Sequence, residues 1–491
     1  MRTLLGHIGA LGLLLLACSG NGTPTGDVAR GGATAAGASG TTGGSVATSG
    51  GSTTVSVGGN PSAGSTGLGG ASGGTNTLAT GGSAGSSQGS GGTSATSLGG
   101  AGAALGGSTS ATTGGTAIAL GGAPGGGASS GGTTTRGGAP NGGAANSLKD
   151  KYASLFPIGA AVDAESYTTH SALLTKHFNS ITPENDMKFE VVQPREGSFD
   201  YAAADRIVDY AVRNNMKVRG HAFVWHSQNP SWLFTNASGG TVSPEVLLQR
   251  MKSHIDAVGK HFGNKVYAWD VVNEAIMNDG KFRGPNEPEG QKSRWFEILG
   301  ERYIAEAFRF AHAAVPDAKL YYNDFYNYIP EKQQAIYEML KKLLADGVPV
   351  HGVGLQCHIN IEPSTDPTNQ AYYQHVTNME KAIELYGSLG LDVQVTEMDV
   401  SLYIPGIKYE QAMFYTEAKF TAELKARQAE RYRAFFELFR KHSKVITGVT
   451  LWGIADDNTW LSEFDSGRKD FPLLFDDRHR LKPAYDAVAT F

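Results

Sequence analysis

The stretch AWDVVNEAI, residues 268–276, carries two opposed signals. Trp269, Val271 and Val272 read as a buried strand, yet Asn273 and Glu274 stand where the apolar run should continue. A carboxylate at the end of a core strand is costly unless it is partnered or used. The pattern recurs along the chain. Short β-branched or apolar runs occur at 158–162, 179–182, 217–225, 265–273, 318–324, 350–358, 391–397 and 445–453. Longer stretches of helical period separate them. From Ser243, for example, Leu247, Met251, Ile255, Val258 and Phe262 recur at three- and four-residue intervals. Ser243 suits the N-cap, Pro244 the first helical position, and Gly263 ends the run. Eight such strand–helix alternations predict an α/β fold, a (β/α)8 barrel over residues 148–491.

The N-terminal part is of another kind. No aromatic residue precedes Tyr152, and between Ser19 and Asn146 the only charged residues are Asp27, Arg30 and Arg136. Residues 19–147 are rich in Gly, Ser, Thr and Ala, with no large apolar side chains to offset the entropy of ordering them. A disordered tether is expected there. Residues 1–18 read as a signal peptide: Arg2, then an apolar run too short to span a bilayer, ending LLAC at Cys18. That ending resembles the lipobox of bacterial lipoproteins, which implies lipidation at Cys18, an exported protein and membrane attachment through the lipid. An ordinary secretory signal is the alternative. If Cys18 is lipidated, Cys357 is the remaining thiol and no intrachain disulfide can form. A formal net charge of −5 leaves no basic footprint for nucleic acid.

A barrel of this kind builds its site at the C-terminal ends of its strands. Read in turn, those ends carry Glu184, Asn185 and Lys188, then His221, Trp225, His226 and Gln228. Asn273 and Glu274, Asn323 and Asp324, Gln356 and His358, Glu397 and Asp399, and finally Trp452 and Trp460 follow. Glu274 and Glu397 belong to strand ends that face each other across the mouth. Two opposed carboxylates among indoles and neutral hydrogen-bonding groups suit glycoside cleavage, because sugars offer apolar C–H faces and many hydroxyls. A metal site built from His221, His226, His358 and Asp399 is a weaker reading, since the first two lie five residues apart on one strand. No GxSxG elbow supports a serine hydrolase. A Schiff base at Lys188 would leave the glutamates unexplained.

The motifs TPENDMK, GHAFVWHSQNPSW, WDVVNEA, YYNDFY, GVGLQCHI, VTEMDV and LWGIADDNTW together resemble glycoside hydrolase family 10, the endo-β-1,4-xylanases. The resemblance covers residues 150–491 in the family's order. It implies a retaining mechanism without cofactor or metal, acting as a monomer on xylan or xylo-oligosaccharides. It also implies Glu274 as acid/base and Glu397 as nucleophile, the latter held by His358 with Asp399. Glu184, Asn185, Lys188, His221, Trp225, Gln228, Asn273, Gln356, Trp452 and Trp460 are implied to bind sugar. Carboxyls about 5–5.5 Å apart, as retention requires, would repel by roughly 3 kcal/mol. The expectation is that this repulsion keeps Glu274 protonated while Glu397 is ionised. A β-1,4-glucanase and a xylan-binding protein with decayed catalysis are the alternatives. GPNEPEGQK, residues 284–292, looks inserted and bears on the leaving-group side of the cleft.

Overall fold

The computed structural model describes residues 147–491, except Gly406 and 463–467. The expected signal peptide, Cys18 and residues 19–146 lie outside the described residues. Ser147, placed by composition at the end of the tether, takes part in the fold: its Oγ accepts from Asp150 N at 3.3 Å and caps the helix Leu148–Lys151.

The strands are β1 (Ile158–Val162), β2 (Ser180–Pro183), β3 (Lys217–Trp225), β4 (Ala268–Asn273) and β5 (Lys319–Asp324). Then follow β6 (Gly352–Leu355), β7 (His358–Asn360), β8 (Asp392–Ser401) and β9 (Ile446–Leu451). Neighbours pair in parallel in the order β6-β5-β4-β3-β2-β1-β9-β8, and β8 pairs back onto β6. That return closes the barrel and leaves no edge to protect. The crossover helices fall where the helical period put them. Pro244–Phe262 begins as expected, Ser243 Oγ accepting from Val246 N at 3.4 Å, and ends at Gly263 with φ +51.

Two strands depart from expectation. The run 350–358 is not one strand but β6 and β7, separated by Gln356 and Cys357. Cys357 has φ +63, a left-handed conformation no ladder accommodates, so the strand breaks there. Strand β8 extends beyond Glu397 to Ser401, because β7 pairs with it and sets His358 opposite Asp399.

Inside the barrel, near the N-terminal ends of its strands, sits a buried ionic cluster. Arg219 on β3 forks onto Asp270 on β4 and donates from Nη1 to Gln394 Oε1 on β8 at 2.7 Å. Its guanidinium also lies 4.4 Å from the centre of the Tyr321 ring. Packing is close around it: a Cβ on Gly220 would fall 2.2 Å from the Trp269 ring. The first and last elements are tied by Tyr152 Oη, which donates to Val488 O at 2.8 Å.

Candidate active site

Strand β4 delivers Glu274 by a change of backbone conformation. The strand ends at Asn273, and Glu274 adopts φ +59. A non-glycine residue in that region costs about 1–3 kcal/mol and persists only where its surroundings hold it. Here Glu274 N donates to Asn323 O at 2.9 Å, and Arg283 Nε donates to Glu274 O at 2.9 Å. The twist sets the side chain among donors from other strands. Trp225 Nε1 reaches Glu274 Oε2 at 2.9 Å, and Gln356 Nε2 reaches Oε1 at 3.0 Å. Glu274 remains 6% exposed, so its carboxyl is almost entirely committed to these partners.

Glu397 is held in the same way from the opposite wall. Asn323 Nδ2 donates to its Oε1 at 2.7 Å, and His358 Nε2 lies 3.2 Å from its Oε2. The other His358 nitrogen, Nδ1, lies 2.8 Å from Asp399 Oδ2, which also accepts from Trp460 Nε1 at 2.9 Å. Asn323 Nδ2 and Gln356 Nε2 both donate to Asn273 Oδ1, at 3.0 and 3.2 Å. One hydrogen-bonded chain therefore runs Trp225–Glu274–Gln356–Asn273–Asn323–Glu397–His358–Asp399–Trp460. The break in the sixth strand serves this chain: on one side of it Gln356 reaches Glu274 and Asn273, and on the other His358, opposite Asp399 in the β7–β8 pair, reaches Glu397. Gly354 serves it too, since a Cβ there would fall 2.1 Å from Asn323 Oδ1.

The electrostatics divide the two glutamates. Burial drives the His358 pKa down, but Asp399 and Glu397 outweigh it and raise it to about 10. His358 is thus an imidazolium at neutral pH and donates to both carboxylates. Glu274 departs from the expectation of a proton kept by repulsion from Glu397. Burial raises its pKa, but His226, Arg283 and the donors Gln356 and Trp225 prevail and bring it to about 2. His226 Nδ1 lies 3.6 Å from Glu274 Oε2, yet burial lowers the pKa of His226 itself to about 3. His226 is therefore neutral at neutral pH, and it is Arg283 with the N–H donors Gln356, Trp225 and Asn273 that holds the resting carboxylate.

The remaining expected residues line the same mouth. Asn185 Oδ1 accepts from Lys188 Nζ and Gln228 Nε2, both at 3.2 Å. Lys188 is buried, its ammonium 4.4 Å from the Trp225 ring centre, and burial lowers its pKa against the pull of Glu184, Glu397 and Glu274. Glu184 follows β2 directly, its N–H donating to Val162 O at 2.8 Å. Trp452 presents its ring edge-on to His221 with centroids 5.4 Å apart. His221 sits deeper than expected, its Nδ1 2.9 Å from Asp270 Oδ2 in the ionic cluster. Trp225 and Trp460 each commit the indole N–H to a carboxylate, so they are donors as well as ring faces. The imagined His221, His226, His358 and Asp399 metal set is dispersed: His221 belongs to Asp270, His226 faces Glu274, and His358 bridges Glu397 and Asp399.

The sequence placed Asn323 at a strand end without giving it a role, and Thr396 and Arg283 were passed over. Thr396 Oγ1 donates to Asn323 Oδ1 at 2.7 Å and fixes which way that amide faces. Asn323 stands at a strand end, the signal that could have singled it out. Arg283 lies outside any strand, and nothing local to it marks a role. It links Glu274 O to the inserted-looking loop by donating from Nη1 to Gln291 O at 3.0 Å.

Comparison with known proteins identifies the family. The profile of glycosyl hydrolase family 10 matches residues 147–491. Endo-1,4-beta-xylanase B of Paenibacillus barcinonensis is 44% identical over 342 residues, 69% of this chain and 96% of that protein. A beta-1,4-xylanase of Dictyoglomus thermophilum is 42% identical over 70% of this chain and 91% of its own length. The crystal structure of xylanase XynB from Paenibacillus barcinonensis, complexed with a conduramine derivative, superposes with a TM-score of 0.64 at 42% identity. It covers 70% of this chain and 98% of that one. The chain belongs to glycosyl hydrolase family 10.

Proposed function

We propose that the protein is a retaining endo-β-1,4-xylanase in which Glu397 is the nucleophile and Glu274 the acid/base. The observation that carries this assignment is the unequal support of the two carboxyls. Glu397 receives a charged donor, His358, and an amide, Asn323, which hold its carboxyl oxygens in place. Glu274 receives only neutral N–H donors at its carboxyl oxygens, which a bound sugar can displace. Glu397 attacks the anomeric carbon and forms a glycosyl ester, while Glu274 gives its proton to the departing oxygen. Sugar binding prepares that proton by burying Glu274 further and drawing away its donors, both of which raise its pKa. With Glu397 esterified, Glu274 returns to its resting preference for the carboxylate and takes the proton of the attacking water. Asn273, fixed by Asn323 and Gln356, is suited to bond the sugar 2-hydroxyl in the transition state.

A reducing-sugar assay on xylan and carboxymethylcellulose tests this with Glu397→Ala and Glu274→Ala alongside. Losses of about 10⁴-fold or more and about 10²–10⁴-fold in kcat are expected. Undiminished activity in both variants sinks the mechanism, and faster cleavage of the cellulose derivative replaces the substrate. NMR of the first-formed anomer must show retention.

For placement, the reading rests on sequence: an exported lipoprotein, lipidated at Cys18, with residues 19–146 as a tether holding a monomeric catalytic unit off the membrane. Detergent-phase partitioning of the full chain lost in Cys18→Ala is the expected result; unchanged partitioning removes the anchor.

A further inference from the structure

Away from the carboxylate pair, one cluster has the composition of a transition-metal site. His170 lies between β1 and β2, at the junction of the helices Ser166–Thr169 and Ser171–His177. Asp457 follows β9, and His479 occupies a turn further along the same βα segment. His170 Nε2 is 3.1 Å from Asp457 Oδ1, and His479 Nε2 is 3.2 Å from Asp457 Oδ2. One ligand atom from each of the three lies within 4.8 Å of the others. Tetrahedral zinc with bonds of about 2.0–2.1 Å separates neighbouring ligand atoms by about 3.3 Å. The two histidine–carboxylate distances, one to each Asp457 oxygen, are close to that spacing, and the set needs only to draw in from within 4.8 Å to meet it.

Two further observations go beyond proximity. His170 is 5% exposed, and its second nitrogen, Nδ1, has Thr169 Oγ1 at 2.9 Å. A hydrogen bond at Nδ1 is what orients a histidine to ligate through Nε2. His479 is held with φ +61, a conformation glycine adopts at no cost and histidine does not. The turn enforces it: Arg478 N and Arg480 N both donate to Asp476 Oδ1 at 2.9 Å, and His479 N donates to Asp476 O at 2.9 Å. This strained position sets the His479 ring 4.3 Å from that of His170, with both Nε2 atoms turned to one carboxylate.

We propose that His170, Asp457 and His479 form a binding site for a zinc-class divalent cation that braces the first βα segment to the last. With two imidazoles and one carboxylate, the donor set favours zinc over the oxygen-preferring calcium and magnesium. A water would complete the tetrahedron. The cation would reinforce a junction already made by Asn458 Nδ2, which donates to Asp163 Oδ2 at 2.8 Å. Trp460 sits on the segment so braced, close after Asp457.

The test is isothermal titration and thermal melting of the full chain, stripped with EDTA and titrated with zinc chloride. One equivalent should bind, raise Tm by about 2–4 °C at saturation, and give tetrahedral absorption bands on replacement by cobalt. His479→Gly removes a ligand and relieves the backbone, so the metal-free Tm should hold or rise while zinc affinity falls at least about tenfold. His170→Gln should weaken zinc in the same way. Absence of saturable binding overturns the proposal, as does unchanged affinity in both variants. An equal Tm rise with calcium chloride overturns the assignment to a zinc-class ion.

Discussion

The same barrel interior holds two buried polar networks, and they are built to different ends. Near the N-terminal strand ends, Arg219 is matched by Asp270, Gln394 and the Tyr321 face. His221 takes the remaining side of Asp270. Charges cancel and the donors find acceptors. At the mouth, two glutamates and Asp399 share Lys188 and His358 as nearby cations, and the network keeps unspent capacity. Gln228 Oε1 and both nitrogens of His226 are buried without a hydrogen-bond partner. A finished network specifies structure; an unfinished one is suited to receive a substrate. His221 and Trp452 form the seam between them, which is why a residue expected to touch sugar is found anchoring the deeper cluster.

The comparison is broken most severely by Arg219→Met. Leaving Asp270 buried without its partner should cost about 3–5 kcal/mol in a denaturant titration, while kcat of the folded fraction stays within a few-fold. A large loss of kcat at unchanged stability would mean the two networks are one. Asn323→Ala attacks the mouth instead: kcat on xylan should fall about 10²-fold, since both the nucleophile and Asn273 lose a donor. Gly354→Ala, which crowds the same amide, should act in the same direction and less strongly.

His358 sharpens the contrast through pH. Its folded pKa of about 10 lies above its ordinary 6.5, so its stabilising contribution is complete below about 6.5 and disappears as pH rises through 10. Melting curves should show His358→Gln least stable relative to the parent near pH 6, with the gap closing by pH 10. A gap that stays constant across this range would refute the imidazolium. The smallest effect belongs to Trp225→Phe, which keeps a ring under Lys188 and removes only the N–H on Glu274. Losing a donor to the carboxylate raises its pKa, so in the free enzyme the NMR titration of the Glu274 carboxyl should move up by about one pH unit or less. An unmoved titration would leave Trp225 as a stacking surface alone.

Much of this was legible along the chain. Strand runs with polar ends, helical periods, and the cap at Ser243 are local signals, because strand and helix periodicity are properties of neighbouring residues. Glu274 and Glu397 stood out because a carboxylate ending an apolar strand has few structural excuses. The break at Cys357 was not legible, since Gln-Cys-His reads as ordinary strand and only pairing with β8 imposes the turn. Arg283 was not legible either: its partners are backbone carbonyls, which carry no sequence signature. The charge state of Glu274 failed for a related reason. Repulsion between two glutamates can be anticipated from their roles, but the donors that outweigh it come from β3 and from the broken sixth strand, brought together only when the barrel closes.

The sequence by itself therefore determined the barrel, the order of its strands, and which residues stand at its mouth. Those follow from periodicity and from the rule that strand ends build the site. Only the tertiary structure decided which of those residues serve each other. Hydrogen bonds such as Asn323 to Glu397 and Trp225 to Glu274 join residues 74 and 49 positions apart. Their strength depends on distance and burial, quantities that do not exist until the chain has closed on itself.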